Sequence, residues 1–463
     1  MTRTRSVRPP AATGRWLPRR TYARLAVLVA AIVGAAVAQH FFGSRHNFLD
    51  LRIYDGAVRW WARGRPLYDY AVPDPVQGTL GFTYPPFAAL VMYPMAWLPS
   101  GVVIVGMWLA TAAATAVATA WLLLPVTRRF GWPTWYALGL ALPLVSVLEP
   151  IRETLAFGQI NVLLELLVLV DLLYLVPRGS RFAGVAIGVA TAVKLTPAIF
   201  IVYLLTSRRI RAAGTAVLAF LAAGLLAAVV DGRDSWLYWS DVLWRSGRIG
   251  HLDGVPNQSL LGALARLSFP AQPDRRLWAV LVLVVLGFGL WRAGRAARGG
   301  DAVAGLTLAG LTGALISPVS WQHHLVWFVP ALVVLLDHAA SAGAGTRVRR
   351  GYALLGAAVW LTVTFSVIAW FDWGIVPRRD EHTPYGLLVA DWHVLLMLVL
   401  LVLLPVRWWA GVATDTEVAA PAPPPAGSTR PGHPAPGQGA PARPALAPAG
   451  DADSAVLDPD PAT

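Results

Sequence analysis

The sequence predicts an all-α, polytopic integral membrane protein, and three observations carry that prediction. The chain of 463 residues is 56% hydrophobic and only 14% charged, with a mean hydropathy of +0.56, whereas a water-soluble domain is about a quarter charged. Apolar runs of helical length recur along most of it. Arginine, the dominant charge, gathers in clusters between those runs, as it does in loops on one side of a membrane.

The runs fall at 22–42, 102–124, 135–148, 160–176, 184–205, 212–230 and 277–291, then at 302–316, 325–336, 352–370 and 387–404. A short run at 85–98, interrupted by Pro94, brings the expected transmembrane helices to about twelve. A hydrocarbon core of about 30 Å takes roughly 20 residues per upright helix, so several of these are expected to be re-entrant or set in thinned bilayer. The first 24 residues carry seven arginines and no acid, which places the basic segment 1–21 in the cytoplasm. The apolar run behind it is too long, and too poor in cleavage features, for a removed signal peptide.

Arg208/Arg209/Arg211, Arg292/Arg295/Arg298 and Arg347/Arg349/Arg350 mark further cytoplasmic loops. Loops 43–83, 231–276, 317–324 and 371–386 then lie outside. Between 85 and 206 the alternation stays open, because Arg128, Arg129, Arg178 and Arg181 favour the inside against a simple count. The membrane body is expected over 22–411. Residues 412–463, rich in Pro, Ala and Gly, read as a disordered cytoplasmic tail. The formal charge of +13 is thus a topology signal, and no nucleic-acid partner is implied.

Whole classes of chemistry drop out. There is no cysteine, so disulfides, thiolate metal sites and cysteine nucleophiles are excluded. No Walker A run, His-Glu-x-x-His, Gly-x-Gly-x-x-Gly or Gly-x-Ser-x-Gly pattern stands where it could work, which removes the main supports of ATP hydrolysis, dinucleotide chemistry, zincin proteolysis and the usual serine hydrolysis.

Loop 43–83 is the most informative. On a helix, Leu51, Tyr54, Val58 and Trp61 share one face, and Arg52, Arg59 and Arg63 fall roughly opposite, as in an amphipathic helix at the outer interface. Asp50 stands at its start with two readings: an N-cap carboxylate, or a base that deprotonates an acceptor hydroxyl. Phe82-Thr83-Tyr84-Pro85-Pro86-Phe87 reads as a rigid lead-in to the next apolar run.

Lys194 is the only lysine among 38 basic residues and lies inside an apolar stretch, where an ammonium is expensive unless paired or hydrated. It suits a phosphate; the plain alternative is a pair with Glu165 or Asp171. Gln159 and Asn161 are amides able to hold sugar hydroxyls or to cap and cross-link helices. Asn257 and Gln258 follow an aromatic stretch holding Trp236, Trp239 and Trp244, which suits carbohydrate or an interfacial aromatic belt. His323 and His324 are adjacent, so on a helix they point about 100° apart and make poor co-ligands for one metal. A phosphate or hydrogen-bond role fits them better than zinc.

At these residues the chain resembles the polyprenol-phosphate-mannose-dependent mannosyltransferases of the GT-C superfamily, which actinobacteria use to build phosphatidylinositol mannosides and lipomannans. The resemblance spans about residues 45 to 335. It runs through Asp50-Leu51-Arg52-Ile53-Tyr54, Gly64-Arg65-Pro66-Leu67-Tyr68-Asp69, Tyr84-Pro85-Pro86-Phe87, Gly158-Gln159-Ile160-Asn161, Lys194-Leu195-Thr196-Pro197, Asn257-Gln258-Ser259 and Ser317-Pro318-Val319-Ser320-Trp321-Gln322-His323-His324. It implies a GT-C fold in the plasma membrane, with an extracytoplasmic active site and both termini cytoplasmic.

The implied partners are a polyprenyl-phosphate-mannose donor, a lipid-linked glycan acceptor and membrane lipids. The family's catalytic aspartate falls on Asp50, with Asp55 close enough to compete. Lys194, Arg52, His323 and His324 stand as donor-phosphate candidates, and Tyr54, Tyr68, Gln159, Asn161, Asn257 and Gln258 as substrate-binding candidates. The implied reaction inverts a β-linked donor into an α-mannoside, and the resemblance implies no metal or cofactor, since a lipid monophosphate leaving group does not need a bridging ion. A GT-C enzyme for another polyprenyl sugar, such as arabinofuranose, and a secondary transporter remain the alternatives.

Overall fold

The computed structural model describes residues 19–43, 46–74, 78–245, 251–341 and 345–407, all within the compact unit Met1–Ala410. Most of the basic segment 1–21, the tail 412–463, and Arg45 and Arg248 in the loops 43–83 and 231–276 lie outside the described residues.

The chain is almost wholly helical. It begins with α1 (Arg19–Phe42) and the amphipathic α2 (Leu49–Trp61). A small antiparallel hairpin follows, β1 (Ala71–Asp74) with β2 (Gly78–Gly81), registered by Val72 opposite Leu80. This hairpin is the one departure from the all-α expectation among the described residues, and it sits in a Pro- and Gly-containing loop where no helical period exists. Next come α3 (Pro86–Met92), α4 (Ser100–Phe130), α5 (Thr134–Ser146), α6 (Glu149–Phe157) and α7 (Asn161–Leu169), the last running into a π-helical turn at Val170–Leu175. Then follow α8 (Val185–Val193), α9 (Ile199–Thr206), α10 (Ile210–Val230), α11 (Gly232–Ser240), α12 (Leu260–Ser268) and α13 (Arg275–Arg298). The body closes with α14 (Ala302–Ile316), α15 (Phe328–Ala340), α16 (Thr346–Thr364), α17 (Pro384–Ala390) and α18 (Trp392–Leu403).

Four helices, α1, α4, α10 and α13, are each long and apolar enough to cross a membrane. The pairs α5–α6 and α17–α18, each bent by 67°, bring the number to six if each pair is one span. Fewer spans therefore stand out than the twelve expected. Several expected runs form shorter apolar helices, at Pro86–Trp97, Thr196–Thr206, Ala302–Ile316 and Phe328–Ala340, and the runs at 160–176 and 184–205 are interrupted, the first by the π-helical turn, the second at Lys194.

Two large cores organise the body. The larger surrounds α14, most of whose side chains are buried; a helix apolar all round belongs at a centre. Gly184 and Gly188 let α8 lie directly on α10, since a Cβ at either would stand 2.0 and 2.3 Å from the Ala212 and Ala216 carbonyl oxygens, the close approach that small residues four apart permit. The second core joins α2, α3, α7, α8 and α11 around Leu51, Tyr54, Tyr68, Phe82 and Tyr84. The candidate site lies along its edge.

Candidate active site

The chain turns sharply ahead of α2. Asn47 and Phe48 both take left-handed backbone, φ 51° and 56°, at a cost of roughly 1–2 kcal/mol for each L residue. The turn is held from two sides. Phe48 N–H donates to the Ala156 carbonyl on α6 at 2.9 Å, and Arg52 folds back to Asn47, Nε to the main-chain oxygen at 2.8 Å and Nη2 to Oδ1 at 3.2 Å. Arg52 is thus exposed and occupied with the turn. Phe48 fills the cap position without a side-chain bond, so Asp50, in the first helical turn, is released from the capping role.

Asp50 instead accepts a hydrogen bond from Gln159 Nε2. Gln159 follows Gly158, whose φ of +70° ends α6 and where a Cβ would stand 2.6 Å from that of Leu51; only glycine lets α2 sit this close. The Tyr84 hydroxyl donates to Gln159 Oε1 at 3.0 Å and meets the Tyr54 hydroxyl at 2.8 Å, which turns the amide NH₂ toward Asp50. Tyr68 donates to the Tyr84 carbonyl at 2.8 Å. Burial pushes the Asp50 carboxyl up to about 6, against the opposing pull of the Gln159 hydrogen bond, Lys194 and His46.

Asp55 does other work. It accepts from Arg59 Nε at 3.0 Å and from Ser100 Oγ at 2.7 Å, and Arg59 goes on to the carbonyls of Met95, Ala96 and Leu98. That clamp fastens α2 to the start of α4 and separates the two aspartates by function.

Lys194 sits at the break after α8 in extended backbone, φ −150°, ψ 131°. Pro197 supplies no N–H to the preceding turn and lies in the 3₁₀ turn Thr196–Ala198 that leads into α9. Nζ donates to Asn161 Oδ1 at 2.7 Å, lies 3.0 Å from His324 Nε2 and stands 5.1 Å from the centre of the Tyr84 ring. The pairing with Glu165 or Asp171 is not made. Asp171 accepts from Gly184 and Ile187 N–H at 2.8 and 2.7 Å, at the start of α8. Glu165, a helical turn deeper than Asn161, has a buried Oε1 with no hydrogen-bond partner among the described residues and lines, with Asn161 and His324, a cavity of about 50 Å³.

His324 Nδ1 accepts from Trp321 N–H at 3.2 Å. Burial, then the nearby Lys194 charge, push this imidazole well below its usual pKa, so it is neutral and its one proton sits on Nε2. Nε2–H and the Lys194 amine therefore lie side by side, 3.0 Å apart, two nitrogens that can each donate a hydrogen bond. His323 stands behind, packed against Phe157 at 5.3 Å and edge-on to His324 at 4.7 Å, with neither ring nitrogen partnered among the described residues.

Asn257 and Gln258 are not part of this cluster. Both are fully buried. Asn257 Oδ1 accepts from Ser320 N–H at 3.0 Å; Gln258 Oε1 accepts from His393 and Val394 N–H at the start of α18, at 3.1 and 3.2 Å. They tie the turn that carries His324 to α18, and their amides are spent on backbone. Tyr84 is the residue whose reach the sequence reading missed. Its signal is the Tyr-Pro-Pro run, which pins Tyr84 in extended backbone between Asp50's amide partner and Lys194. No group of three or more metal-binding side chains exists among the described residues.

A carboxylate on an amphipathic helix thus stands near an amine and an imidazole at a helix break, in a chain with several helices apolar and long enough to cross a membrane. The chain belongs to glycosyltransferase family 87, whose sequence profile matches residues 82–318; Tyr84, Gln159, Asn161 and Lys194 fall inside that stretch.

It is 37% identical over 338 residues to a polyprenol-phosphate-mannose-dependent alpha-(1-2)-phosphatidylinositol mannoside mannosyltransferase of Mycobacterium tuberculosis, covering 70% of this chain and 78% of that protein. It is 40% identical over 310 residues to the protein of the same description from Mycolicibacterium smegmatis, covering 62% and 69%. A polyprenol-phosphate-mannose-dependent alpha-(1-2)-phosphatidylinositol pentamannoside mannosyltransferase of Mycobacterium tuberculosis is 35% identical over 374 residues, covering 79% and 83%. No solved structure matches the chain.

Proposed function

We propose that the chain transfers mannose from polyprenyl-phosphate-mannose to a phosphatidylinositol mannoside or a related lipid-linked glycan, forming an alpha-(1-2) bond with inversion. The donor and linkage follow the descriptions of the relatives. The observation that carries the site is a chain of contacts: Lys194 Nζ beside His324 Nε2 and near the Tyr84 ring, the Tyr84 hydroxyl on Gln159, and the Gln159 amide on Asp50.

Asp50 takes the proton from the acceptor hydroxyl as its oxygen attacks the anomeric carbon. A carboxyl held near 6 is a stronger base than an ordinary one and is still ionised at pH 7. The C–O bond to phosphate breaks on the opposite face, and the charge gathering on the leaving phosphate is met by Lys194 and His324. Fixed donors act strongly where water is excluded. Gln159 and Asn161 line the span between the two ends, and Tyr54 and Tyr68 shape its wall through Tyr84.

The fold is read as GT-C, in the plasma membrane, with this pocket on the extracytoplasmic face and both termini inside. The arginine clusters support that orientation. Because the chain has no cysteine, single cysteines placed in segment 43–83 and at the exposed start of α16, 346–350, test it directly: an impermeant thiol reagent should label the first in intact cells and spare the second.

The deciding experiment for function uses purified enzyme, radiolabelled polyprenyl-phosphate-mannose and phosphatidylinositol mannosides. A mannosidase-sensitive alpha-(1-2) product is expected. Transfer only from an arabinofuranosyl donor, or flux in proteoliposomes without a glycosidic product, would replace this reading.

A further inference from the structure

The segment from Glu153 to Gln159 touches Asp50 from two directions. At its far end Gln159 bonds the carboxylate. At its near end it grips the left-handed turn that leads into α2. His46 Nε2 lies 2.8 Å from Glu153 Oε2, and its imidazole lies flat on the Phe157 ring, centroids 3.8 Å apart and planes 13° apart. The Phe48 amide, between them and Asp50, donates to Ala156. Glu153 is nearly inaccessible while His46 is partly open, 5% against 37% of the side chain, so a surface group is fastened to a buried acid. Two successive non-glycine residues in left-handed backbone do not hold themselves there. Something outside the turn has to: the Phe48–Ala156 bond is one such hold, and the His46–Glu153 contact is a second, made to a buried carboxyl.

We infer that His46 and Glu153 are positioning residues for the catalytic base: the pair pins the 46–48 turn on α6, and the turn aims Asp50 at the acceptor hydroxyl. The inference rests on the reading of Asp50 as base. A loosened turn lets α2 begin differently and displaces the carboxylate relative to Gln159, while Lys194 and His324, held by α7 and the Trp321 turn, stay where they are. The damage therefore falls on the acceptor step and not on donor capture.

The test measures kcat and both KM values for His46→Ala, Glu153→Ala, Glu153→Gln, the double alanine variant and Asp50→Asn, each checked by size exclusion. His46→Ala changes a partly exposed side chain and keeps the test alive if the buried Glu153→Ala fails to fold. A misplacement of the base by about 1 Å is expected to lower kcat by on the order of 10²-fold, with donor KM unchanged. Glu153→Gln keeps an oxygen that can accept from His46 and should recover kcat to within about 3-fold of wild type.

The double variant should lose little more than either single one, as coupled groups do. Full kcat in His46→Ala, a loss confined to donor KM, or additive losses in the double variant would overturn the inference. Turnover by Asp50→Asn would instead overturn the base assignment itself, so the two failures are distinguishable.

Discussion

The two ends of the site are built differently. Asp50 rides on a helix outside the spans, approached by a left-handed turn and held through side-chain contacts to α6. Lys194 sits in the break of a buried helix, its amine fixed by Asn161 and flanked by His324 within a packed bundle. The difference matches the two substrates of the proposed reaction. A phosphate is one constant shape and can be met by rigid donors. An acceptor glycan varies in size and approach, and is met by a group whose placement depends on a handful of loop contacts. Rigidity is placed where charge develops, adjustability where the partner changes.

The strongest way to break the comparison is to remove each end in turn. Asp50→Asn keeps size and the contact to Gln159 but cannot take a proton; kcat is expected to fall by about 10³-fold, within the usual range for a general base, with the protein folded and donor binding retained. Near-normal turnover would end the mechanism. Lys194→Ala should cost about 10²-fold in kcat/KM for the donor, the scale of one lost transition-state donor. Its acceptor KM should be unmoved, and equal loss toward both substrates would erase the division of labour.

Both ends of the site are legible in the amino-acid sequence. Lys194 stands out because lipid does not tolerate a lone ammonium, and Asp50 because an acid beside an apolar helix face needs a reason. What the sequence does not show is reach across the chain. The bond from Gln159 to Asp50 spans 109 positions and that from Lys194 to His324 spans 130, and no local period encodes either. Asn257 and Gln258 mislead for the same reason: amides next to aromatics suit sugar, but their partners at Ser320 and His393 lie far along the chain. The expected count of about twelve helices is not confirmed, and two of its runs are interrupted where hydropathy averages over a helix break or a π-helical turn. Gln258→Ala accordingly should leave donor KM intact and lower thermal stability, since it strips two acceptor bonds from buried backbone worth about 1 kcal/mol or more each; a melting curve reads this.

Proton affinity sharpens the comparison further. With Asp50 held near 6, the protonated acid below that pH is inactive, so kcat/KM should fall as pH drops through about 6 and not near 4, where an ordinary carboxylate would titrate. Gln159 donates to the ionised form and so lowers this value. Gln159→Leu removes the donor and should move the acid limb to higher pH by about one unit, the equivalent of a hydrogen bond to a charged group. A limb that stays put would mean that the amide does not face the base.

Tyr84→Phe gives the smallest effect and the most telling one, because Tyr84 borders both ends. Its hydroxyl fixes the Gln159 amide and meets Tyr54, while its ring face lies near the Lys194 amine. Phenylalanine keeps the ring and deletes the hydroxyl. If the hydroxyl acts only through Gln159, kcat should drop by about 5-fold, near 1 kcal/mol for one neutral hydrogen bond, the acid limb should move in the same direction as in Gln159→Leu, and donor KM should hold. A rise in donor KM of the same size would show instead that the two ends are coupled through this side chain, and that the base side is less independent of the phosphate side than their separate scaffolds imply.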